Sequence, residues 1–436
     1  MKDLEVEIVD LGINGEGIGR VKDKTCFVPF LLTGEKASIE VIKEKDNLLF
    51  CKAKQIKKES LDRVKPNCKY FEVCGGCSIQ HLDYKKSLDF KTQLVKNTLR
   101  KIGSIDTVVL NTVASKNNYN YRNKNVFPIY FDGENIVVGM YEKSSKKIIE
   151  IDECLLADDN INKTLKIVKK FFNSDKEIKK QAMNLKFVVV QTLNNQVLLT
   201  VVVNKNLTNL DNLVDCLKKE FKEFGLFINI NEQKTSIILD GKLDHIYGLK
   251  TLKDKVFDIE YEISPFSFMQ VNYDIKQKLY SEVLSKINKD DVVIDAYSGA
   301  GLLSCMIAKK AKKVVGIEIV KPAVINADKT KENNKITNLT NICGDCKKEF
   351  FSVYKDFKPN IVVLDPPQKG VDENLIKEIL KTQTEKIIYI SCNPKTLARD
   401  LKLLNVNYEI ESVKPFDMFP NTCEVETMVV LKRKQI

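Results

Sequence analysis

A chain of 436 residues that is 43% hydrophobic and 30% charged can fill two or three globular cores in water. No apolar run approaches a membrane-spanning length, and the opening MKDLEVEIVD lacks the basic start and apolar stretch of an export signal, so the cytoplasm is the expected location and no membrane partner is expected. With 70 basic against 59 acidic residues the net charge is +11, a field that favours a polyanionic partner such as nucleic acid.

Residues 1–57 read as short strands with turn punctuation at Gly12, Gly15, Gly17, Gly19 and Gly34, and predict a small closed β-barrel of the OB-like kind. The cluster Gly15–Gly19 leads from strand into strand without the helix that a phosphate-binding loop needs, so it is read as a turn. Phe27, Phe30 and Lys22 are candidates for contacting a nucleic-acid partner on such a barrel, with the barrel core as the commoner place for a Phe.

The loop-rich segment 58–81 holds Cys68, Cys74 and Cys77 in CKYFEVCGGC, a C-x5-C-x2-C spacing, with Cys154 in EIDECLLAD as a plausible fourth ligand. No disulfide framework is expected for the 12 cysteines, because the cytosol keeps thiols reduced. Four thiolates suit either structural zinc or a [4Fe–4S] cluster, and the spacing leaves both open. A helix is predicted over 81–103, with Leu88, Leu94, Val95 and Leu99 on its apolar side; it is placed so that it can pack on the C-terminal domain.

Strand candidates NVFPIYF, NIVVGMY, LKFVVVQTL, QVLLTVVVN and TSIILDG, with helices at INKTLKIVKKFF and LDNLVDCLKKEF, make residues 58–255 a central α+β domain. Ahead of the first strand, Tyr119, Tyr121, Arg122, Asn123 and Lys124 combine rings and charge, as an RNA contact or a solvated turn would. His81 and His245 stand apart from other ligands and are read as structural. Cys26, Cys51, Cys216, Cys305, Cys343, Cys346 and Cys423 are read as ordinary small residues.

From 256 to 436 strand and helix alternate: DVVIDAYSG, KVVGIEIV, LTNICGD, PNIVVLDPP, EKIIYISCN and ETMVVLK predict an α/β, doubly wound, mostly parallel Rossmann-like sheet. In such a sheet ligands bind at the carboxyl ends of the strands. Gly299 and Gly301 there allow close backbone approach, Glu318 is placed to bind ribose hydroxyls, Asp345 to meet an adenine, and Asp365 to meet a methionine or sulfonium. The third glycine of a dinucleotide fingerprint is absent and nothing offers a pyrophosphate site, which favours S-adenosylmethionine over a nicotinamide.

Cys392, in YISCNPKTLARD, ends a strand before a helix, where an N-terminus is expected to lower a thiol pKa. Such a thiolate is what uracil methylation at carbon 5 needs, since addition to carbon 6 makes carbon 5 nucleophilic. A base must then remove the carbon 5 proton, and Glu426, just before the last strand, is the best candidate.

CKYFEVCGGC with Cys154, SPFSFMQVN, DAYSGAGLLS, LDPPQKG, YISCNPKTLARD and FPNTCEVET together resemble the RNA (uracil-5-)-methyltransferase family, in its ribosomal RNA form with an N-terminal TRAM domain and an iron–sulfur cluster. The resemblance covers nearly the whole chain. It implies a [4Fe–4S] cluster on Cys68, Cys74, Cys77 and Cys154, donor binding by Gln270, Tyr297, Glu318 and Asp365, nucleophile Cys392 and base Glu426. It also implies RNA binding by the barrel and a flipped-out target uridine, in large-subunit ribosomal RNA ahead of transfer RNA, with no obligate protein partner. Two residues depart from the pattern: Gln368 stands where arginine is common, and Glu424 where histidine is frequent. An exocyclic-amine methyltransferase and a non-catalytic iron–sulfur redox sensor that binds RNA are the competing functions.

Overall fold

The computed structural model describes residues 4–233 and 237–435. Strands β1 (Leu4–Leu11), β2 (Gly17–Val21), β3 (Lys24–Val28), β4 (Lys36–Lys45) and β5 (Leu48–Lys58) close a barrel in the order β1-β2-β3-β5-β4. Alternating Val6, Ile8, Cys26, Val28, Ile39 and Cys51 fill it. Gly15 turns β1 into β2 at φ 79°, and a Cβ there would stand 2.7 Å from both Cys423 Sγ and the Ile79 side chain. The barrel therefore touches the loop before the last strand of the chain.

The central sheet contains β6 (Lys124–Phe131), β7 (Ile136–Tyr141), β8 (Ile148–Glu150), β9 (Leu185–Leu193), β10 (Gln196–Val203), β11 (Phe224–Ile230) and β12 (Lys242–Gly248), ordered β12-β11-β10-β9-β6-β7-β8. One face packs on the helices Asp159–Ser174 and Asp211–Glu220 through Leu165, Phe172, Leu199, Val201 and Leu213. The other lends Leu198 and Phe227 to a core shared with the C-terminal domain. Of the strand expected at TSIILDG, residues 235–236 lie outside the described residues and 237–241 form none. The edge is β12 instead, because the apolar run is too short to pair before Gly241 turns it.

A hairpin of β13 (Leu252–Val256) and β14 (Ile259–Ile263) leads into the seven-stranded catalytic sheet. Its strands are β15 (Val292–Ala296), β16 (Lys313–Glu318), β17 (Leu339–Cys343), β18 (Ile361–Leu364), β19 (Lys386–Ser391), β20 (Tyr408–Phe416) and β21 (Glu426–Arg433), in the order β17-β16-β15-β18-β19-β21-β20. β15 to β19 run parallel, and β21 lies antiparallel between β19 and β20. The strand order reverses between β15 and β18, which opens a crevice at their carboxyl ends. β20 is an addition to the expected strands: its YEIESVKPF is charged on the exposed face of a sheet edge, which hides the alternation.

Asp83 caps the helix Tyr84–Thr98 by accepting from Lys85 and Lys86 N–H. Its buried stripe is Ser87, Lys91, Val95 and Thr98, turned from the expected apolar side so that a lysine faces inward; Leu88 and Leu94 lie at its margin. Val95 and Leu99 join the catalytic core beside Leu397 and Leu401. Among the described residues no helix is long and apolar enough to cross a membrane.

Candidate active site

The turn after β15 carries three consecutive alternate residues in the left-handed region: Tyr297 at φ 67°, Gly299 at φ 55° and Gly301 at φ 77°. For a tyrosine this conformation costs about 1–3 kcal/mol, a strain typical of ligand sites. A Cβ on Gly301 would strike Ala327 at 2.5 Å, so this glycine serves helix packing, whereas one on Gly299 would meet nothing within 4 Å. Bare backbone facing open space at a strand end is a surface on which a flat ligand can lie. Glu318, at the end of β16, accepts from Gly299 N–H at 3.0 Å and Val320 N–H at 2.8 Å, which fixes its carboxylate over that turn. Asp345 caps the helix Cys346–Phe357 and is half-buried. Gln270 is buried in the loop after β14; its carbonyl accepts from Asn123 Nδ2 at 3.1 Å. Those groups suit an uncharged nucleoside with a cationic tail, which is the shape of S-adenosylmethionine.

Deeper in the crevice, Asp365 follows β18, Cys392 follows β19 and Glu426 opens β21. Burial, then the charge of Asp295, pushes Asp365 up to about 7. Burial likewise holds Glu426 well above the ordinary carboxylate range, with Asp365 and then Glu424 adding to it. Cys392 is pushed up to about 12 by burial and by Glu426, Asp365 and Glu424. The thiol is thus not activated by the helix alone, contrary to the expectation from its position. Asn393, not Cys392, caps the helix Pro394–Leu404, and three carboxyl groups outweigh the nearby helix end. Cys392, Asp365 and Glu426 are brought within electrostatic reach of one another.

Two further residues belong to this cluster and were not singled out from sequence. Asp295, buried in β15 and bonded by Ser304 Oγ, is raised to about 7 by burial above all. Tyr280, on the helix Tyr273–Ser285, is raised by burial and by Asp365, Asp295 and Glu426. The available signal was a carboxylate inside the apolar strand VVIDA; nothing marked Tyr280.

Cys392 also opens onto a cleft of about 630 Å³ walled by all three regions, including Asn14 of the barrel, Arg122 and Lys143 of the middle, and Asn393, Lys395 and Glu424. Cys68, Cys74, Cys77 and Cys154 line the same cleft. Burial, and after it the neighbouring thiols, pushes Cys77 up to about 12, while Gln80 Nε2 donates to its sulfur at 3.1 Å. Four free thiols around one hollow are a suitable donor set for a soft metal or cluster. Among the described residues, however, no three Cys, His, Asp or Glu side chains converge closely enough to grip a metal ion as they stand.

YNYRNKN is not a solvated turn throughout: Arg122 lines the cleft onto which Cys392 opens, while other residues of the segment are drawn into the fold. Tyr121 and Asn123 are buried, Tyr121 OH donates to Pro420 O at 3.1 Å and Asn123 N–H to Val271 O at 3.1 Å, so the segment ties the central sheet to both loops of the crevice. Phe30 is also an internal joint, edge-on to Phe71 at 5.4 Å with Lys143 Nζ 4.0 Å over its ring. Phe27 differs: it stacks on Phe50 at 5.7 Å across β3 and β5, and Phe50 is exposed. Lys22 is an exposed turn residue. His81 is buried with both ring nitrogens unpartnered, and His245 bonds Gly248 O; neither reaches the crevice.

Residues 83–434 match the family model described as tRNA (Uracil-5-)-methyltransferase, and residues 2–54 match the TRAM domain. The chain is 37% identical to an uncharacterized RNA methyltransferase of Caldanaerobacter subterraneus subsp. tengcongensis over 98% of both chains. It is 35% identical to another of Clostridium acetobutylicum, covering 99% of this chain and 97% of that one. Its fold is similar to the crystal structure of Pyrococcus abyssi tRNA (uracil-54, C5)-methyltransferase in complex with S-adenosyl-L-homocysteine, with a TM-score of 0.78, 26% identity, and 98% and 99% of the two chains covered.

Proposed function

Because the chain belongs to the tRNA (uracil-5-)-methyltransferase family and is an S-adenosylmethionine-dependent RNA methyltransferase, we propose that it methylates carbon 5 of one uridine through a covalent bond from Cys392. The observation that carries this reading is the gathering of Cys392, Asp365 and Glu426 at the ends of β19, β18 and β21. When bound, S-adenosylmethionine supplies an electrophilic methyl group on a sulfonium. Gln270, Tyr297, Glu318, Asp345 and Asp365 hold it over the bare turn at Gly299, with Gly301 letting the turn pack.

Cys392 first gives its thiol proton to water in the cleft; the thiolate Sγ then bonds to carbon 6 of the flipped uracil, and the electron pair of the carbon 5–carbon 6 double bond passes into an enolate whose carbon 5 is nucleophilic. After carbon 5 is methylated, the Glu426 carboxylate removes its remaining proton, the carbon 5–carbon 6 double bond re-forms, and the thiolate leaves. Glu426 must ionise to do this, and a cation bound beside Asp365 favours that form.

RNA carrying 5-fluorouridine at the target tests the route, because fluorine cannot leave as a proton and the adduct persists. A denaturation-resistant adduct that disappears in Cys392→Ala is the expected result; no adduct with the parent protein defeats the proposal. An exocyclic-amine methyltransferase needs no such thiol, and the exposed Gln368 after Pro367 offers none of the aromatic stacking those enzymes use. A redox sensor without catalysis would leave the carboxyl cluster without a purpose.

Cys68, Cys74, Cys77 and Cys154 are the proposed ligands of a [4Fe–4S] cluster, supported by their shared cleft and by the resemblance of CKYFEVCGGC with Cys154 to the cluster-bearing form of the family. It would cross-link the 68–80 loop to the central sheet, and no step of the reaction is assigned to it. Iron content with broad visible absorption in an anaerobic preparation is expected; one zinc in a colourless protein rejects iron. The stacked Phe27–Phe50 pair on the barrel suits a single-stranded base. Large-subunit ribosomal RNA is the substrate favoured by the barrel together with the cysteine loop, and transfer RNA is favoured by the family description and the substrate named for the Pyrococcus abyssi enzyme. Mapping 5-methyluridine in RNA from cells with and without the protein separates the two.

A further inference from the structure

Glu426 does not sit on a free strand end. It is paired in register with Phe416, so the two close the neck of the β20–β21 hairpin, and residues 417–425 form its loop. Asp417, the first loop residue, is fully buried, and so is Lys91 on the helix Tyr84–Thr98; Lys91 Nζ lies 2.5 Å from Asp417 Oδ1. The other carboxylate oxygen accepts from Tyr84 OH at 2.8 Å, and Tyr84 OH in turn accepts from Ser115 N–H at 2.9 Å.

The carbonyls of Phe419, Pro420 and Asn421 are each taken by a donor from outside the catalytic sheet. Lys91 Nζ donates to Phe419 O at 2.9 Å, Tyr121 OH to Pro420 O at 3.1 Å, and the N–H groups of Ser78 and Ile79 to Asn421 O at 3.1 and 3.2 Å. A loop held only by its own hairpin would need none of these. A fully buried lysine–aspartate pair is also a poor choice for stability alone, since desolvating both charges offsets most of their attraction and apolar residues fill such a site as well. Its geometry instead fixes a direction: the ammonium bridges the hairpin neck to the loop two residues further on.

We propose that Lys91, through Asp417, is a positioning residue for Glu426, holding the hairpin neck so that the carboxylate meets the carbon 5 proton. The proposal rests on the roles given above to Cys392 and Glu426. Lys91 acts on release of the adduct and not on its formation, because Cys392 is carried by β19 and the helix Pro394–Leu404, and none of the network's hydrogen bonds ends on either.

The test pairs two measurements on the full chain. The rate of adduct formation is followed with 5-fluorouridine RNA, and the fraction of protein trapped as methylated adduct is followed on natural RNA during turnover. A Lys91→Met/Asp417→Asn double variant leaves no lone buried charge. It is expected to form the fluorinated adduct within about twofold of the parent rate, to trap several-fold more adduct on natural RNA, and to turn over about tenfold more slowly. Tyr84→Phe, which removes one hydrogen bond and keeps the ion pair, is expected to move the same way by a smaller factor, and it decides the matter where the double variant fails to fold. Parent-like release in a folded variant overturns the proposal. So does an equal fall in formation and release, the mark of a merely structural role. Failure of the underlying reading looks different: a parent protein without any adduct removes the role of Cys392, and normal release by Glu426→Gln removes the base, each taking this inference with it.

Discussion

In the central sheet, β9, β10 and β11 are buried on both faces and filled by residues such as Val188, Leu199, Val201 and Ile228. The catalytic sheet is equally apolar along β15, β18 and β19, yet at their carboxyl ends it buries Asp295 and Glu426, with half-buried Asp365 alongside. Both sheets have seven strands and share a core through Leu198 and Phe227. The difference lies in where polar groups are concentrated. One sheet uses burial to hold the chain together; the other uses it to raise its carboxyl groups above the ordinary range, at a cost in stability to the folded protein.

Three substitutions break or sharpen that contrast. Replacing Cys392 by alanine is expected to bring methylation to background while leaving denaturant unfolding nearly unchanged, measured by methyl transfer and by chemical melts. Glu426→Gln should lower turnover by roughly 10²–10⁴-fold. The same variant should melt higher than the parent at pH 8, because an amide carries none of the desolvation penalty of a buried carboxylate. Leu199→Ala in the central sheet is expected to do the reverse, costing about 2–5 kcal/mol of stability with the chemistry per folded molecule intact.

The smallest effect is in the pH dependence of stability. Asp295 and Asp365 sit at about 7 in the folded protein against an ordinary 3.8, so the folded form keeps protons that the unfolded chain has released. Their contribution is full below the unfolded value and is lost as pH rises through about 7. His81 has the opposite sign: burial first, then Arg63, pulls it to about 3, so its contribution is full above 6.5 and is lost as pH falls toward 3. Each slope is at most about 1.4 kcal/mol per pH unit for one group. Between pH 4 and 8 the slope of stability against pH should therefore be more positive in Asp295→Asn than in the parent, and less positive in His81→Phe.

The strand ends that matter were visible because they break an apolar run with one polar residue: Glu318 after KVVGI, Asp365 after IVVL, Cys392 after IIYIS. The same rule points to Asp295 inside VVIDA, where the glycines that follow are the stronger local signal. β20 and Lys91 were hidden for a different reason. Charges alternate along an edge strand and fall on every face of a helix, so composition does not distinguish a lysine in solvent from one in the core. The raised thiol of Cys392 could not be inferred either, since the carboxyl groups that raise it lie 27 and 34 positions away in the chain, at Asp365 and Glu426.

Gly15 has a bearing on how this protein can be re-engineered. The barrel matches a domain model of its own and invites exchange for another nucleic-acid module, but its first turn is wedged against Cys423 and Ile79 with no room for a side chain. A chimaera would have to preserve that bare turn and its left-handed backbone, or the graft would push on the hairpin that carries Glu426. The module is portable as a fold and not as a part.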